Sequence, residues 1–322
     1  MYCFAEEYAI VRRLLSEKKR CEMSLAKKLS ALVGVVAVGG GVAVVAQPAE
    51  ADGEPNIVLL GDSYMATPNQ WSLINDHIQA AVPFAPRVAP PTGTSAAGCP
   101  QDQHNVGDAL RAISGKKVDN YACSGATLTE LPFIGNLNPN RLDTLVTKAI
   151  DNGALNANTQ AVPILIGLND FYQTGYGWSV NPEDPPHESA AAAELDRQSQ
   201  RIRQAAPNAK LIYLSYPQVT APVAPNWLCL VQAGDFRPLN TLGFGYQNSF
   251  NIVKRQQSGA AERNGGTYID MVESTADHST CAPGRENWVA GIIQANGNNA
   301  AMAMHMTDQG VDNMAQQINS RL

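Results

Sequence analysis

Charged residues are scarce in this 322-residue chain, at 16%, and they form no basic block and no aromatic-basic stripe. Polyanions are held by such positive surface, so no nucleic-acid partner is expected. Metal-ligand spacing is missing as well, since six cysteines and five histidines form no C-x-x-C and no H-x-x-x-H pair. No zinc site is expected from them. Beyond residue 46 no apolar run reaches the ~20 residues that cross a bilayer. Internal repeats are lacking, and the one low-complexity tract, Ala190–Ala193, reads as helix-forming alanines.

The amino terminus carries what the remainder lacks. Lys27 and Lys28 precede an apolar stretch from Leu29 to Ala46, and Ala49-Glu50-Ala51 has the small-x-small form of a signal-peptidase site. Residues 23–51 are read as a signal peptide that starts at Met23 and is cut after Ala51, whereas residues 1–22 show no export logic and are read as an extension foreign to the natural product. The rival is an uncleaved anchor, which Gly39-Gly40-Gly41 and the cleavage site disfavour. Cleavage would leave residues 52–322 as a single domain with 16 basic and 24 acidic residues, a formal charge of −8. Four cysteines survive it, and an even number in an exported chain suggests two disulfides. Three pairings are open. The sequence-local one joins Cys99 to Cys123 and Cys229 to Cys281, each bridge worth about 2–4 kcal/mol.

Five short apolar runs read as strands: Ile57–Leu60, Val118–Ala122, Val162–Ile166, Lys210–Ser215 and Thr267–Met271. Helical periodicity lies between them, in Leu142, Leu145, Val146 and Ala149, across Glu188–Ala206 and across Tyr246–Arg263, while Thr307 suits the N-cap of a last helix. Strands alternating with helices predict an α/β fold, a three-layer α/β/α sandwich around a mainly parallel five-stranded sheet. Segments 84–99, 171–187 and 217–245 read as loops over the sheet edge.

Ligands of such sheets bind outside the carboxyl ends of the strands. Directly behind Leu60 stands Gly61-Asp62-Ser63-Tyr64, which sets a serine hydroxyl at a buried strand end, where a following helix would aim its N–H groups. Two further strand ends carry Cys123-Ser124-Gly125-Ala126-Thr127 and Gly167-Leu168-Asn169-Asp170, and His305 precedes the last helix. This order and content resemble the SGNH hydrolases, the GDSL-type esterases and lipases, whose blocks are a GDS serine, a glycine, a GxND asparagine and a late histidine. The resemblance spans nearly all of residues 52–322. With Tyr121–Thr127, His278-Ser279-Thr280-Cys281 and Trp288, it looks like the secreted, disulfide-bonded branch of actinobacterial esterases and lipases.

The resemblance implies a flavodoxin-like sheet, the two sequence-local disulfides, and no metal or organic cofactor. It makes Ser63 the nucleophile, His305 its general base, and the N–H groups of Ser63 and Gly125 with the side-chain amide of Asn169 the oxyanion hole. Chemistry asks for the same pair, because a serine hydroxyl attacks poorly until an imidazole takes its proton. One departure matters. Most of the family has an aspartate three residues before the histidine, and here Met302 stands there, with no carboxylate from Asn287 to Met306. The backbone carbonyl of Met302 is expected to orient His305, leaving a Ser–His dyad, with Asp308 or Asp312 swinging back as the alternative. His77, His104, His187 and His278 are not expected to act as bases.

The implied function is a secreted, monomeric carboxylic-ester hydrolase acting on a small-molecule or lipid ester, with peripheral contact to a membrane or the cell envelope. Acyl transfer or deacetylation on envelope glycans or glycolipids, and a non-catalytic envelope-binding module, are the alternatives. Phe171, Tyr172, Tyr176, Trp178 and Trp227 are candidates for an acyl groove.

Overall fold

Ile57 and Leu59 enter one hydrophobic core and Val58 and Leu60 another, because successive strand side chains point to opposite faces. A computed structural model describes residues 54–70, 93–130, 140–173, 185–237, 239–295 and 302–322. The expected extension and signal peptide lie outside the described residues, as do parts of the expected loops at 84–99 and 171–187.

The strand containing these residues, β1 (Asn56–Gly61), joins β2 (Lys117–Asn120), β3 (Thr159–Leu165), β4 (Lys210–Leu214) and β5 (Thr267–Ile269) in one parallel sheet. Its spatial order is β2-β1-β3-β4-β5, the flavodoxin-like order, whose switch point lies between β1 and β3. The expected three layers are present. On one face, Ile57, Leu59, Leu165 and Ile212 meet α2 (Val106–Ser114) through Val106 and Leu110, and α8 (Asp308–Asn319) through Val311, Met314 and Ile318. On the other, Val58, Leu60, Val162 and Ile164 meet α3 (Leu142–Asp151) and α5 (Pro185–Ala205). The long helix α6 (Phe244–Arg263) contributes Phe250 and Val253 to the first core and Ala260 to the second.

Several boundaries differ from the sequence expectation for local reasons. The second strand ends at Asn120, although Tyr121 and Ala122 stay buried and the Tyr121 and Cys123 amides still donate to Leu59 and Gly61 of β1 before the turn that starts at Cys123. Met271 opens a helix, α7 (Met271–Thr275), because Asp270 caps it by accepting from the Val272 amide at 3.1 Å. Pro185 and Pro186 begin α5, as the first turn of a helix tolerates a missing N–H. Segment 217–245 holds short strands, Trp227–Cys229 against Asn240–Leu242 and Val231–Gln232 beside Ile293–Gln294. Both sequence-local disulfides form, Cys99–Cys123 and Cys229–Cys281, with Cα separations of 5.3 and 5.1 Å. Among the described residues no helix is long and apolar enough to cross a membrane.

The end of β1 is clamped from both sides. The Asp62 amide donates to the Leu165 carbonyl at 3.1 Å, and the Gly61 carbonyl accepts from the Cys123 amide at 3.0 Å. A Cβ on Gly61 would lie 2.4 Å from the Leu165 carbonyl oxygen, so only glycine admits this approach. Gly61→Ala is expected to cost about 1–3 kcal/mol of stability by forcing β1 and β3 apart, measured as a lowered denaturant midpoint.

Candidate active site

Asp62 leaves the sheet with an extended backbone and caps α1 (Ser63–Ala66), its carboxylate accepting from the Tyr64 amide at 3.0 Å. This helix is a single turn, so the dipole expected behind the serine is slight. Thr67 closes it in the left-handed region at φ 43°, donating its amide to the Ser63 carbonyl at 2.8 Å. Ser63 is buried, and among the described residues no acceptor takes its amide N–H.

The Oγ of Ser63 lies 2.7 Å from Nε2 of His305, a contact that spans 242 residues of sequence. On the far side of the ring Nδ1 stands 2.9 Å from the carbonyl oxygen of Ala303. A carbonyl can only accept, so Nδ1 carries the hydrogen and Nε2 presents its lone pair to the serine. The orienting carbonyl therefore belongs to Ala303 and not to the expected Met302, whose oxygen takes the His305 amide at 3.2 Å. The cause is Met304, held in the left-handed region at φ 60°, which turns the preceding peptide plane toward the imidazole. That conformation costs a non-glycine residue about 1–3 kcal/mol. Three bonds hold it: Tyr64 Oη donates to the Met304 carbonyl at 2.7 Å, the Met304 amide to Gly291 at 3.1 Å, and the Ala303 amide to Gln70 at 3.3 Å.

The strand ends beside β1 bring the remaining residues in. Cys123 to Ala126 form a turn closed by the Ala126 amide on the Cys123 carbonyl at 3.1 Å, with Gly125 at φ 73°. Asn169 opens α4 (Asn169–Gln173) behind β3, and its Nδ2 donates to the Ala126 carbonyl at 2.8 Å and, more weakly, to Asp62 at 3.4 Å. One amide thus touches both the residue after Gly125 and the residue before Ser63. The neighbouring Asp170, buried, accepts from the amides of Leu128 at 2.7 Å and Thr129 at 2.9 Å and from the Thr129 hydroxyl at 2.6 Å, tying the two loops together.

Burial sets the proton affinities here. It pushes the His305 imidazole down from 6.5 to about 4, against the upward pull of the Ala303 carbonyl, so the ring is neutral in ordinary buffers. It pushes the Asp62 carboxyl up from 3.8 to about 7, against hydrogen bonds from the Tyr216 hydroxyl and the Tyr64 amide. Their linkage to stability has opposite signs. Between about pH 4 and 7 the folded chain retains a proton on Asp62 that the unfolded chain has lost, so this group's contribution falls as pH rises. Between about 4 and 6.5 it is unfolded His305 that binds the extra proton, so that contribution rises with pH.

Among the described residues no carboxylate hydrogen-bonds to His305. Asp312, one proposed substitute, pairs with His104 at 2.9 Å on the surface, and Asp308 only opens α8. Thr307 sits at the N-cap position, but its hydroxyl faces the Asn287 carbonyl at 3.2 Å and the Gln309 amide oxygen at 3.3 Å, which share its one hydrogen, instead of capping. His278 stacks on Trp288, ring centroids 3.6 Å apart, and faces the Glu286 carbonyl. His77 and the side chain of His187 lie outside the described residues. So do Tyr176, Trp178 and the side chain of Tyr172, while Phe171, a candidate for the acyl groove, is buried in the core. The roles of five residues are not evident from sequence: Tyr64, Ala303, Asp170, Asp62 and Tyr216. Asp62 and Tyr64 stood in the first strand-end cluster and Asp170 in the third, whereas Ala303 and Tyr216 left no signal.

A family model described as the GDSL-like lipase/acylhydrolase family matches residues 59–312. Among curated proteins, none matches the sequence. The fold is similar to that of a phospholipase A1 from Streptomyces albidoflavus NA297, with 18% identity, 84% of this chain and 100% of that one covered, and a TM-score of 0.51. It is also similar to that of an extracellular lipase from Streptomyces rimosus, at 18% identity, with 83% and 99% covered and a TM-score of 0.50.

Replacing Asp62 by Asn keeps an N-cap acceptor and removes the titration. Relative to wild type, Asp62→Asn is expected to gain stability as pH climbs from 5 to 8, read from urea denaturation at both pH values.

Proposed function

The chain belongs to the GDSL-like lipase/acylhydrolase family and is a carboxylic-ester hydrolase; we propose that it is exported and works through an acyl-serine intermediate formed by a Ser63–His305 dyad. The observation that carries this reading is the buried 2.7 Å contact between Nε2 and Oγ, with the tautomer set by Ala303. Ser63 Oγ attacks the ester carbonyl carbon while its proton passes to Nε2. The alcohol leaves with that proton as the C–O bond breaks. Water then repeats the sequence against the acyl-enzyme, releasing the acid and restoring Ser63.

Negative charge on the tetrahedral oxygen is met by the Ser63 amide, the Gly125 amide and the Asn169 side chain. The unaccepted Ser63 N–H supports the first. The 3.4 Å bond from Asn169 to Asp62 is weak enough to be exchanged for an oxyanion, while the 2.8 Å bond to Ala126 keeps the amide in place. Each such donor is worth ~2.7–4 kcal/mol of barrier.

Export is supported by the two disulfides, which persist in oxidising compartments. A lipid ester is the favoured substrate, approached at a membrane or envelope surface. Trp227, Leu242 and Ile293 on short strands, and Ile292 just before the last of these, are 43–57% exposed, and the segments are linked through Leu230. Ile292 follows Gly291, whose carbonyl holds Met304 beside His305, so this apolar surface adjoins the histidine loop. Patches of this kind mark contact with lipid or protein. The names of the two Streptomyces proteins, a phospholipase and a lipase, point the same way.

A fluorophosphonate is expected to label the wild type covalently and to leave Ser63→Ala unlabelled; an unlabelled, folded wild type would overturn the dyad. Activity on a soluble short-chain ester should not fall as pH is lowered to 5, since Asp62 only gains its proton there, and should drop around pH 4, where His305 takes one. Asp308→Asn should keep its turnover within about threefold, against the ~10⁴-fold loss that follows removal of a true triad carboxylate. Trp227→Ser with Leu242→Ser should slow hydrolysis of vesicle-borne esters while leaving the soluble ester unaffected.

A further inference from the structure

His305 has partners in its ring plane, Ser63 and Ala303, and another across its face. The ring of Tyr64 stacks on the imidazole with centroids 4.5 Å apart and an interplanar angle of 26°. Tyr64 is itself fixed from three sides: its hydroxyl donates to Met304, the Tyr216 ring packs edge-on at 5.0 Å, and Phe250 does so at 6.4 Å. Only 2% of its surface is exposed, so no solvent shares this contact.

In the dyad reading, on which this inference rests, the imidazole becomes a cation each time it takes the serine or water proton. A triad meets that cation with a buried carboxylate. Here the charge would face a neutral carbonyl in an interior that already disfavours it. We propose that Tyr64 is a positioning residue that takes over part of the missing carboxylate's work, its π face stabilising the His305 imidazolium while its hydroxyl, bound to Met304, holds the histidine loop in register with the same ring. A cation against an aromatic face is stabilised most when desolvated, and the negative quadrupole of the ring supplies what a formal charge would otherwise supply.

The titratable groups around this stack keep the pH readout interpretable. Asp62 adjoins it through Tyr216, and with its carboxyl raised to about 7 it is already protonated where His305 titrates. Burial and Asp62 hold the Tyr216 hydroxyl protonated. On the α8 side, Asp312 is engaged with His104 at the surface and Asp308 makes no hydrogen bond to the ring.

The test compares Tyr64→Phe, which keeps the face and loses the hydroxyl, with Tyr64→Leu, which keeps bulk and loses the face. On a soluble ester, Leu is expected to lower kcat about 3–30-fold at unchanged KM and to move the acid limb of kcat/KM to lower pH, while Phe restores the limb and most of kcat. Active enzyme is counted by fluorophosphonate titration. Should Leu fail to fold, phenylalanines carrying one to three ring fluorines at position 64 hold size constant while weakening the face, and kcat should fall stepwise with fluorine number. Equal losses in Phe and Leu with an unmoved limb, or a flat fluorine series, would overturn the proposal. Turnover persisting in Ser63→Ala would instead overturn the dyad beneath it.

Discussion

The close approach of β1 and β3 at Gly61 is the constraint from which the site follows. With no side chain at that position, the Leu165 carbonyl reaches the Asp62 amide, and the Gly61 carbonyl remains available to Cys123 on the other side. Three neighbouring strand ends are thereby locked in register at the topological switch point. Ser63, Gly125 and Asn169 inherit their positions from that lock more than from their own loops. The Asn169 amide, touching Ala126 and Asp62 together, is the link between them.

The electrostatics of the site come from exclusion of water. The same burial that keeps His305 unprotonated, ready to accept a proton, makes Asp62 reluctant to lose one. A base near neutrality is commonly prepared by a charged neighbour; in the proposed dyad desolvation, one carbonyl and one aromatic face take that place. An ionised carboxylate at Asp62 would raise the barrier to forming an oxyanion beside Ser63 in the proposed mechanism, and the elevated affinity of Asp62 for its proton moderates that repulsion.

Much of this was readable in the chain. Five apolar runs gave five sheet strands, and the four blocks with Ser63, Gly125, Asn169 and His305 were visible because each carries its residues within a few positions of a strand or helix end. Helix α2 was missed although its signals are local: Asn105 caps it through the Asp108 amide at 3.0 Å, and Val106, Ala109, Leu110 and Ile113 keep helical spacing. What else escaped depended on distant contacts or on backbone state. The shift from Met302 to Ala303 rests on a left-handed methionine, a conformation that residue type does not announce. The high proton affinity of Asp62 comes from burial, which only the folded chain creates, and it persists against the hydrogen bond from Tyr216, 154 residues away.

The 242-residue separation of Ser63 and His305 bears on when the protein becomes active. His305 is held only once Ala290, Gly291 and Tyr64 have gripped its loop, and α8, which follows it, packs on α2 near the other end of the domain. Contacts so remote in sequence form late, since the chain must first bear the entropy of closing the intervening loop. The strand and turn of Ser63 can be in place long before His305, its proposed base, arrives. Reactivity is thus a property of the finished chain, and a nascent or truncated molecule carries the serine without the means to use it.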